Sequence, residues 1–188
     1  MLSLSVKYRP KTFEEVCSQK SIIKILNRQL ELNKYSNLYM FSGPSGCGKT
    51  TLARIFANKI NGGDQGTIEI DAASHNGVDN VREIIEDAQE RSLTSQYKIF
   101  VIDEVHMITT AGWNAFLKCL EEPPAFTIFI FCTTNPEKIP ETIKNRFAMR
   151  FDLTKVNTNE IESRLKYICE QEQFENFDES INVGQILA

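Results

Sequence analysis

The sequence predicts an α/β fold in which a mostly parallel, five-stranded sheet is covered by helices on both faces. Several short segments are apolar throughout, as is typical of parallel strands that are buried on both sides. These segments alternate with stretches of helical periodicity, which favours strand–helix–strand units. A glycine-rich loop and two polar pairs follow three of the apolar segments. Because ligands bind beyond the carboxyl ends of parallel strands, these three places mark the expected site.

The elements can be assigned in chain order. Residues 6–13 contain Pro10 and are predicted to be extended, because the residue before a proline disfavours helix. Ser21 is the expected N-cap of a first helix. A glycine-rich turn is expected at residues 61–66, and Pro123 ends a later helix. The predicted strands are 37–41, 67–71, 98–103, 126–132 and 148–151, and the predicted helices after the first begin near Thr50 or cover about 78–88, 110–122, 141–145 and 161–168.

Composition narrows the class of protein. The chain has 188 residues, 41% hydrophobic and 24% charged, which is typical of a globular protein, and it has no apolar run long enough to span a membrane. The net charge of -4 and the absence of a basic stripe argue against a protein that grips nucleic acid alone. Five scattered cysteines favour reduced thiols in the cytosol and no zinc site. His75 and His106 are interpreted as structural.

The loop after the first strand carries the strongest motif. Residues 43–50 match the phosphate-binding pattern G-x-x-x-x-G-K-[ST] at every fixed position, between a strand and a helix. Lys49 is expected to reach the outer phosphates of a nucleotide, and the Thr50 hydroxyl is expected to bind Mg²⁺. The predicted nucleotide-binding residues of this loop are Gly43, Pro44, Ser45, Gly46, Cys47, Gly48, Lys49, Thr50 and Thr51.

Two further strand ends supply candidate catalytic residues. Asp103 closes an apolar strand and is placed to hold Mg²⁺, and Glu104 is placed to orient or deprotonate an attacking water. Thr134, after the next strand, is suited either to contact the γ-phosphate or to cap the following turn, and spacing does not separate these two roles.

The order of motifs resembles the ATPase subunits of sliding-clamp loaders, above all those of bacterial DNA polymerase III, which belong to the AAA+ family. The resemblance covers about residues 6–152. Its motifs are Tyr-Arg-Pro at 8–10, the phosphate loop, Glu-Ile-Asp-Ala-Ala-Ser at 69–74, Asp-Glu-Val-His-Met at 103–107, Leu-Lys-Cys-Leu-Glu-Glu-Pro-Pro at 117–124, Thr-Thr-Asn-Pro at 133–136 and Asn-Arg-Phe at 145–147.

This resemblance implies an AAA+ P-loop ATPase that uses ATP and Mg²⁺. Thr134 would then sense the γ-phosphate. Arg146 would be an arginine finger that enters a neighbouring subunit's site, where such a group is worth about 10³–10⁵ in rate. The residues implied to line the adenine pocket are Tyr8, Arg9, Pro10 and Val16.

Three departures from the family pattern matter. Asn145 and Phe147 stand beside Arg146 where family members usually have serine and cysteine. A short turn at 62–66 replaces the bacterial four-cysteine zinc module, so no zinc is expected. Residues 1–153 are expected to form the nucleotide-binding core, and residues 154–188 only the start of a small helical lid. The chain is therefore expected to be either a truncated or a minimal, phage-like form, located in the bacterial or host cytosol.

The implied partners are other clamp-loader subunits, the sliding clamp, primed double-stranded DNA bound without sequence preference and, indirectly, the DNA polymerase. Residues at the starts of two helices are candidates for phosphate contacts, with simple N-capping as the alternative. These DNA-contact candidates are Asn76, Gly77, Thr109 and Thr110. Two other functions stay open: a nucleotide-bound scaffold subunit that does not hydrolyse ATP, and another AAA+ motor for branch migration or helicase loading.

Overall fold

A computed structural model describes residues 3–172 and divides them into two compact units. The larger unit is formed by residues 19–155. The smaller unit joins residues 3–18 to residues 156–172. The division into a core at 1–153 and a lid at 154–188 stays a prediction, and residues 173–188 of that lid lie outside the described residues.

A five-stranded sheet forms the centre of the larger unit. The strand order is β2-β3-β4-β1-β5, and every neighbouring pair is parallel, which confirms the predicted α/β class. The strands are β1 (Leu38–Ser42), β2 (Thr67–Asp71), β3 (Lys98–Asp103), β4 (Thr127–Thr133) and β5 (Met149–Asp152). The register places Asp71 beside Asp103 and Ser42 beside Thr133, so the carboxyl ends of four strands lie at one edge of the sheet.

Helices cover both faces of this sheet, as the apolar strands predicted. The larger unit contains α2 (Lys20–Leu32), α3 (Lys49–Asn61), α4 (Val78–Ala88), α5 (Thr110–Glu121) and α6 (Glu141–Lys144). On one face, Met40, Phe100 and Phe131 pack with side chains of α4, α5 and α6 in a single apolar core. On the other face, the Tyr39 ring meets Phe56 of α3 edge to face at 5.2 Å between centroids.

The prediction that Ser21 caps the first long helix is wrong. Helix α2 begins at Lys20, and its N-cap is Gln19, which adopts a left-handed conformation with φ 66°. The Gln19 side-chain amide donates a hydrogen bond to the carbonyl of Thr154 at 2.7 Å. This contact joins residues 135 positions apart, so it fixes the start of the helix by tertiary structure rather than by local capping.

The smaller unit contains α1 (Leu4–Lys7), a 3₁₀ turn at Phe13–Glu15, and α7 (Thr158–Gln171). The sequence prediction of extended chain over residues 6–13 is therefore wrong for residues 6, 7 and 13. The proline effect reaches only the residue before Pro10, and helix α1 already ends at Lys7. Within this unit, Arg164 donates a hydrogen bond to the Tyr8 carbonyl at 2.9 Å.

Gly66 offers a test of the turn that joins α3 to β2. Its φ is +75°, and a Cβ there would lie 1.9 Å from Ser95 Oγ and 2.8 Å from the Tyr97 carbonyl oxygen. We expect Gly66→Ala to lower the free energy of unfolding by about 2–4 kcal/mol, because left-handed strain and overpacking add. Urea denaturation monitored by circular dichroism measures this loss.

Gly62 is the matched control for that change. Its φ is +72°, but no atom lies within 4 Å of the position of its Cβ. Gly62→Ala therefore carries the backbone strain alone, about 1 kcal/mol. Equal losses of unfolding free energy for the two variants would show that crowding against Ser95 and Tyr97 adds nothing to the cost of a side chain at Gly66.

Candidate active site

The phosphate-binding motif forms a tight loop between β1 and α3. The Gly43 amide donates a hydrogen bond to the Thr133 carbonyl at 3.2 Å, which fastens the start of the loop to the end of β4. A Cβ at Gly43 would lie 2.5 Å from the Leu153 carbonyl oxygen, and φ is +148°, so only glycine fits there. The first glycine of the motif is therefore required by the packing of this chain.

Lys49 lies at the first position of α3, and its side chain is almost completely buried. The ammonium group donates hydrogen bonds to the carbonyls of Gly43 (2.9 Å) and Pro44 (3.0 Å). Both acceptors are neutral carbonyl oxygens, so these hydrogen bonds do not neutralise the ammonium charge. This charge lies inside a loop whose shape is suited to phosphate oxygens.

Thr50 and Asp103 meet directly across the site. The Thr50 hydroxyl donates a hydrogen bond to Asp103 Oδ2 at 2.5 Å, and the Glu104 amide donates to Asp103 Oδ1 at 2.9 Å. A hydroxyl and a carboxylate are the hard oxygen ligands that Mg²⁺ prefers. The two residues predicted to bind the metal are thus brought together by α3 and β3, and their donor set fits Mg²⁺.

Glu104 has an unusual backbone conformation. Its φ and ψ are 48° and 41°, in the left-handed region, where a residue other than glycine is uncommon. The Thr134 hydroxyl donates a hydrogen bond to Glu104 Oε2 at 3.1 Å. The structure therefore joins the predicted base to the predicted phosphate sensor, and strain of this kind is common at functional positions.

His106 also belongs to this cluster, although the sequence was interpreted as giving it a structural role. Its Nδ1 lies 3.2 Å from Glu104 Oε2 and 3.2 Å from the hydroxyl of Thr133. The side chain is only 10% exposed. The sequence position of His106, two residues after Glu104, only weakly indicates that the two side chains meet. A short 3₁₀ turn at Val105–Met107 is needed to bring the ring back toward the carboxylate.

A cavity of about 430 Å³ extends from this cluster along β2. Arg54 of α3 lines it and forms an ion pair with Glu69 at 2.5 Å. Sequence reasoning did not identify this pair as part of the site, because the register of β2 beside β3 brings it there. The lining residues are Thr50, Arg54, Glu69, Ile70, Asp71, Val101, Asp103 and Glu104.

Arg146 lies two residues beyond the end of α6, and its side chain forms a half-exposed ion pair with Glu121 at the end of α5. The adjacent Phe147 is buried, and its ring meets Phe131 edge to face at 5.2 Å. The phenylalanine that departs from the family pattern therefore fixes the backbone beside Arg146 to the core. The arginine-finger role stays a prediction.

The two candidate DNA-contacting helix starts lie side by side. The Thr109 amide donates a hydrogen bond to the Asn76 carbonyl at 3.1 Å, and the Thr109 side chain accepts one from the Gly112 amide at 3.1 Å. Thr109 therefore caps α5, and Gly77 is the N-cap position of α4. The capping role of Thr109 is established, while DNA contacts by these residues and by Thr110 stay predictions.

The predicted adenine-pocket residues Tyr8, Arg9, Pro10 and Val16 belong to the smaller unit, and their nucleotide contacts stay a prediction. Within residues 3–172, no three acidic, histidine or cysteine side chains are grouped to hold a metal ion. The absence of zinc also stays a prediction. In the same part of the chain, no helix has the length and apolar character needed to cross a membrane.

Burial determines the chemistry of the cysteines near the site. It raises the pKa of the Cys132 thiol well above its ordinary value, and it also raises that of Cys119. Both thiols, together with the buried Cys47 of the phosphate loop, are free. A thiol with a raised pKa is a poor nucleophile and a poor metal ligand, so Cys119 and Cys132 are packing residues.

Comparisons with known proteins agree with this geometry. A protein-family profile described as "DNA polymerase III, delta subunit" matches residues 64–157, half of the chain. The DNA polymerase III subunit tau of Bacillus subtilis is 40% identical over 94% of this chain and 35% of its own length. The gamma/tau subunit of Mycobacterium tuberculosis is 39% identical over 91% of this chain and 33% of its own length. The chain thus spans about a third of the length of these curated relatives.

Solved structures share the fold. The RuvB Holliday junction branch migration motor of Thermotoga maritima superimposes with a TM-score of 0.72 over 88% of this chain and 55% of its own, at 19% identity. A DNA polymerase III gamma subunit-related protein of the same organism gives 0.63 over 78% and 52%, at 20% identity. These structures share the α/β P-loop fold of this chain, and the chain belongs to the family of DNA polymerase III subunits that the profile and the sequence relatives define.

Proposed function

We propose that the chain binds and hydrolyses ATP as a subunit of a sliding-clamp loader in DNA replication. One observation carries the proposal: Lys49, Thr50, Asp103, Glu104 and Thr134 come from three separate segments and form one cluster. Each has the chemistry that phosphoryl transfer requires: a phosphate-binding cation, a pair of metal ligands, a base and a polar sensor.

Within this proposal, each residue has a defined task. Lys49 exchanges the loop carbonyls for the outer phosphate oxygens of ATP. Thr50 and Asp103 hold Mg²⁺, which supplies charge neutralisation for the phosphates when bound. Glu104 orients the attacking water and accepts its proton. Thr134 shares its hydroxyl between Glu104 and the γ-phosphate, so that sensing and catalysis are coupled at one side chain.

The proposed partners follow from the family. Arg146 enters the site of a neighbouring subunit, and hydrolysis there releases the sliding clamp on primed double-stranded DNA, close to the polymerase and in the bacterial cytosol. The sequence relatives support this role, since the tau and gamma/tau proteins at 39–40% identity are DNA polymerase III subunits. The RuvB neighbours, at 18–20% identity, support the shared fold alone.

Lys49→Met tests the binding step. We expect it to weaken ATP binding by about 10–100-fold, because hydrogen bonds to a charged group contribute about 1.5–3 kcal/mol each. Titration of the full-length natural protein with a fluorescent ATP analogue measures this change. Thermal unfolding is the control for the loss of the buried loop contacts. Unchanged ATP affinity in a folded Lys49→Met variant would contradict the assignment of this loop.

The hydrolysis step is tested by the ATPase rate with and without clamp and primed DNA. We expect the two partners together to stimulate the wild-type protein strongly and the Lys49→Met protein not at all. If ATP binds but no combination of subunits, clamp and DNA raises turnover, the chain is instead a nucleotide-bound scaffold subunit.

A further inference from the structure

We infer that His106 is a positioning residue that holds the Glu104 carboxylate in its reactive orientation. The inference rests on the proposed ATPase function and deepens it. His106 belongs to neither the phosphate loop nor the metal-binding pair, yet its ring lies against the one carboxylate that is placed to activate water.

The contacts define how the ring acts. Nδ1 lies 3.2 Å from Glu104 Oε2 and forms a hydrogen bond with Thr133 Oγ1 at 3.2 Å. A ring nitrogen without a proton would direct its lone pair at a carboxylate oxygen, which is unfavourable. The tautomer with a proton on Nδ1 avoids this repulsion: its N–H can donate to the Thr133 hydroxyl oxygen and places positive partial charge beside Glu104 Oε2.

Thr133, which forms the hydrogen bond with His106, is held in a fixed position. Thr133 is completely buried at the end of β4, and its hydroxyl also accepts a hydrogen bond from the Asn135 amide at 3.1 Å. The ring is itself only 10% exposed. His106 therefore connects a fixed point of the sheet to the Glu104 side chain, whose backbone is strained.

Thr134 and His106 lie against the same carboxylate oxygen. Thr134 donates to Glu104 Oε2 at 3.1 Å, and His106 Nδ1 lies beside that oxygen as well. Among residues 3–172, no hydrogen bond to Oε1 accompanies them, so this second oxygen is available to a water molecule. If Thr134 turns to the γ-phosphate, His106 is the group that still holds Oε2.

Two substitutions of His106 separate positioning from packing. Asn places its amide nitrogen where Nδ1 lies, whereas Gln is closer to histidine in volume but places its amide farther out. We expect His106→Gln to lower kcat by about 10–100-fold, while His106→Asn retains activity within about threefold of the wild type, because small misplacements of a catalytic group are costly. The Kd for ATP should stay within about threefold in both variants.

A packing role predicts the reverse order, since Asn leaves the larger void. A rate for His106→Gln that equals or exceeds that of His106→Asn would overturn the inference.

A second test uses Glu104→Gln as the background in single-turnover hydrolysis. There, His106→Gln should cause no further loss if it acts through Glu104, and an additive loss would also overturn the inference. Failure of the proposed function is distinguishable, because the wild-type protein itself would then bind ATP without turnover under any condition.

Discussion

Replacing Glu104 with Gln is expected to lower the rate of ATP hydrolysis by about 10²–10⁴-fold while leaving ATP binding nearly unchanged. Gln has the same shape and accepts the Thr134 hydrogen bond through its carbonyl oxygen, but it cannot take a proton from water. The Lys49 and Thr50–Asp103 contacts do not involve the Glu104 side chain, so phosphate and metal binding remain. Single-turnover hydrolysis together with equilibrium ATP binding measures the two effects separately.

Glu121→Gln is the matched control, because it makes the same chemical change at a half-exposed surface glutamate. Its basal hydrolysis is expected to equal that of the wild type. A Glu104→Gln protein that retains turnover within threefold of the wild type would exclude Glu104 as the base and favour the scaffold function. Loss of ATP binding in this variant would instead indicate damage to the loop.

The strained backbone conformation of Glu104 leads to a prediction about thermal stability that also bears on its role as the catalytic base. Its left-handed conformation is unfavourable for glutamate and several-fold more common for asparagine. Glu104→Asn should therefore unfold at the same or a higher temperature than the wild type, although it removes the base. Retention of a strained glutamate where another residue is more stable is the pattern expected when the side chain is needed for function.

The parts of the fold that were predictable from sequence are those with local causes. The apolar runs of β1, β3 and β4 gave the parallel sheet, because strands buried on both faces need no polar residues. The phosphate loop was recognisable because its glycines and Lys49 are consecutive in sequence. Asp103 and Glu104 followed from their place at the end of a predicted strand.

The parts that escaped prediction depend on contacts between distant residues. Helix α2 starts at Lys20 because Gln19 is held by Thr154, which no local capping rule contains. The pairing of Arg54 with Glu69 depends on where β2 lies beside β3. The contact of His106 with Thr133 was not predictable, because the two residues lie 27 positions apart in sequence. Such contacts need the sheet register before they can be seen.

Replacing Arg146 with Ala is expected to abolish the stimulation of ATP hydrolysis by clamp and DNA, a loss of about 10³–10⁵-fold if Arg146 serves as the arginine finger. In the structure the guanidinium is paired with Glu121, but both side chains are nearly half exposed. Such a surface pair contributes only about 0–1 kcal/mol, so the arginine can leave it at little cost to reach a neighbouring site. The Phe147 ring, packed against Phe131, keeps the backbone in place as the side chain moves.

Two controls determine whether the effect arises in trans. Glu121→Gln removes the resting partner of Arg146 and should leave stimulation intact. Mixing Arg146→Ala with Lys49→Met is the decisive measurement, because the first retains an intact ATP site and the second retains the arginine. Within one assembly, an Arg146 from the Lys49→Met protein can complete the site of the Arg146→Ala protein, so the mixture should regain part of the stimulated rate. A mixture as inactive as its two components would show that Arg146 acts within its own chain, and that the site does not depend on a neighbour.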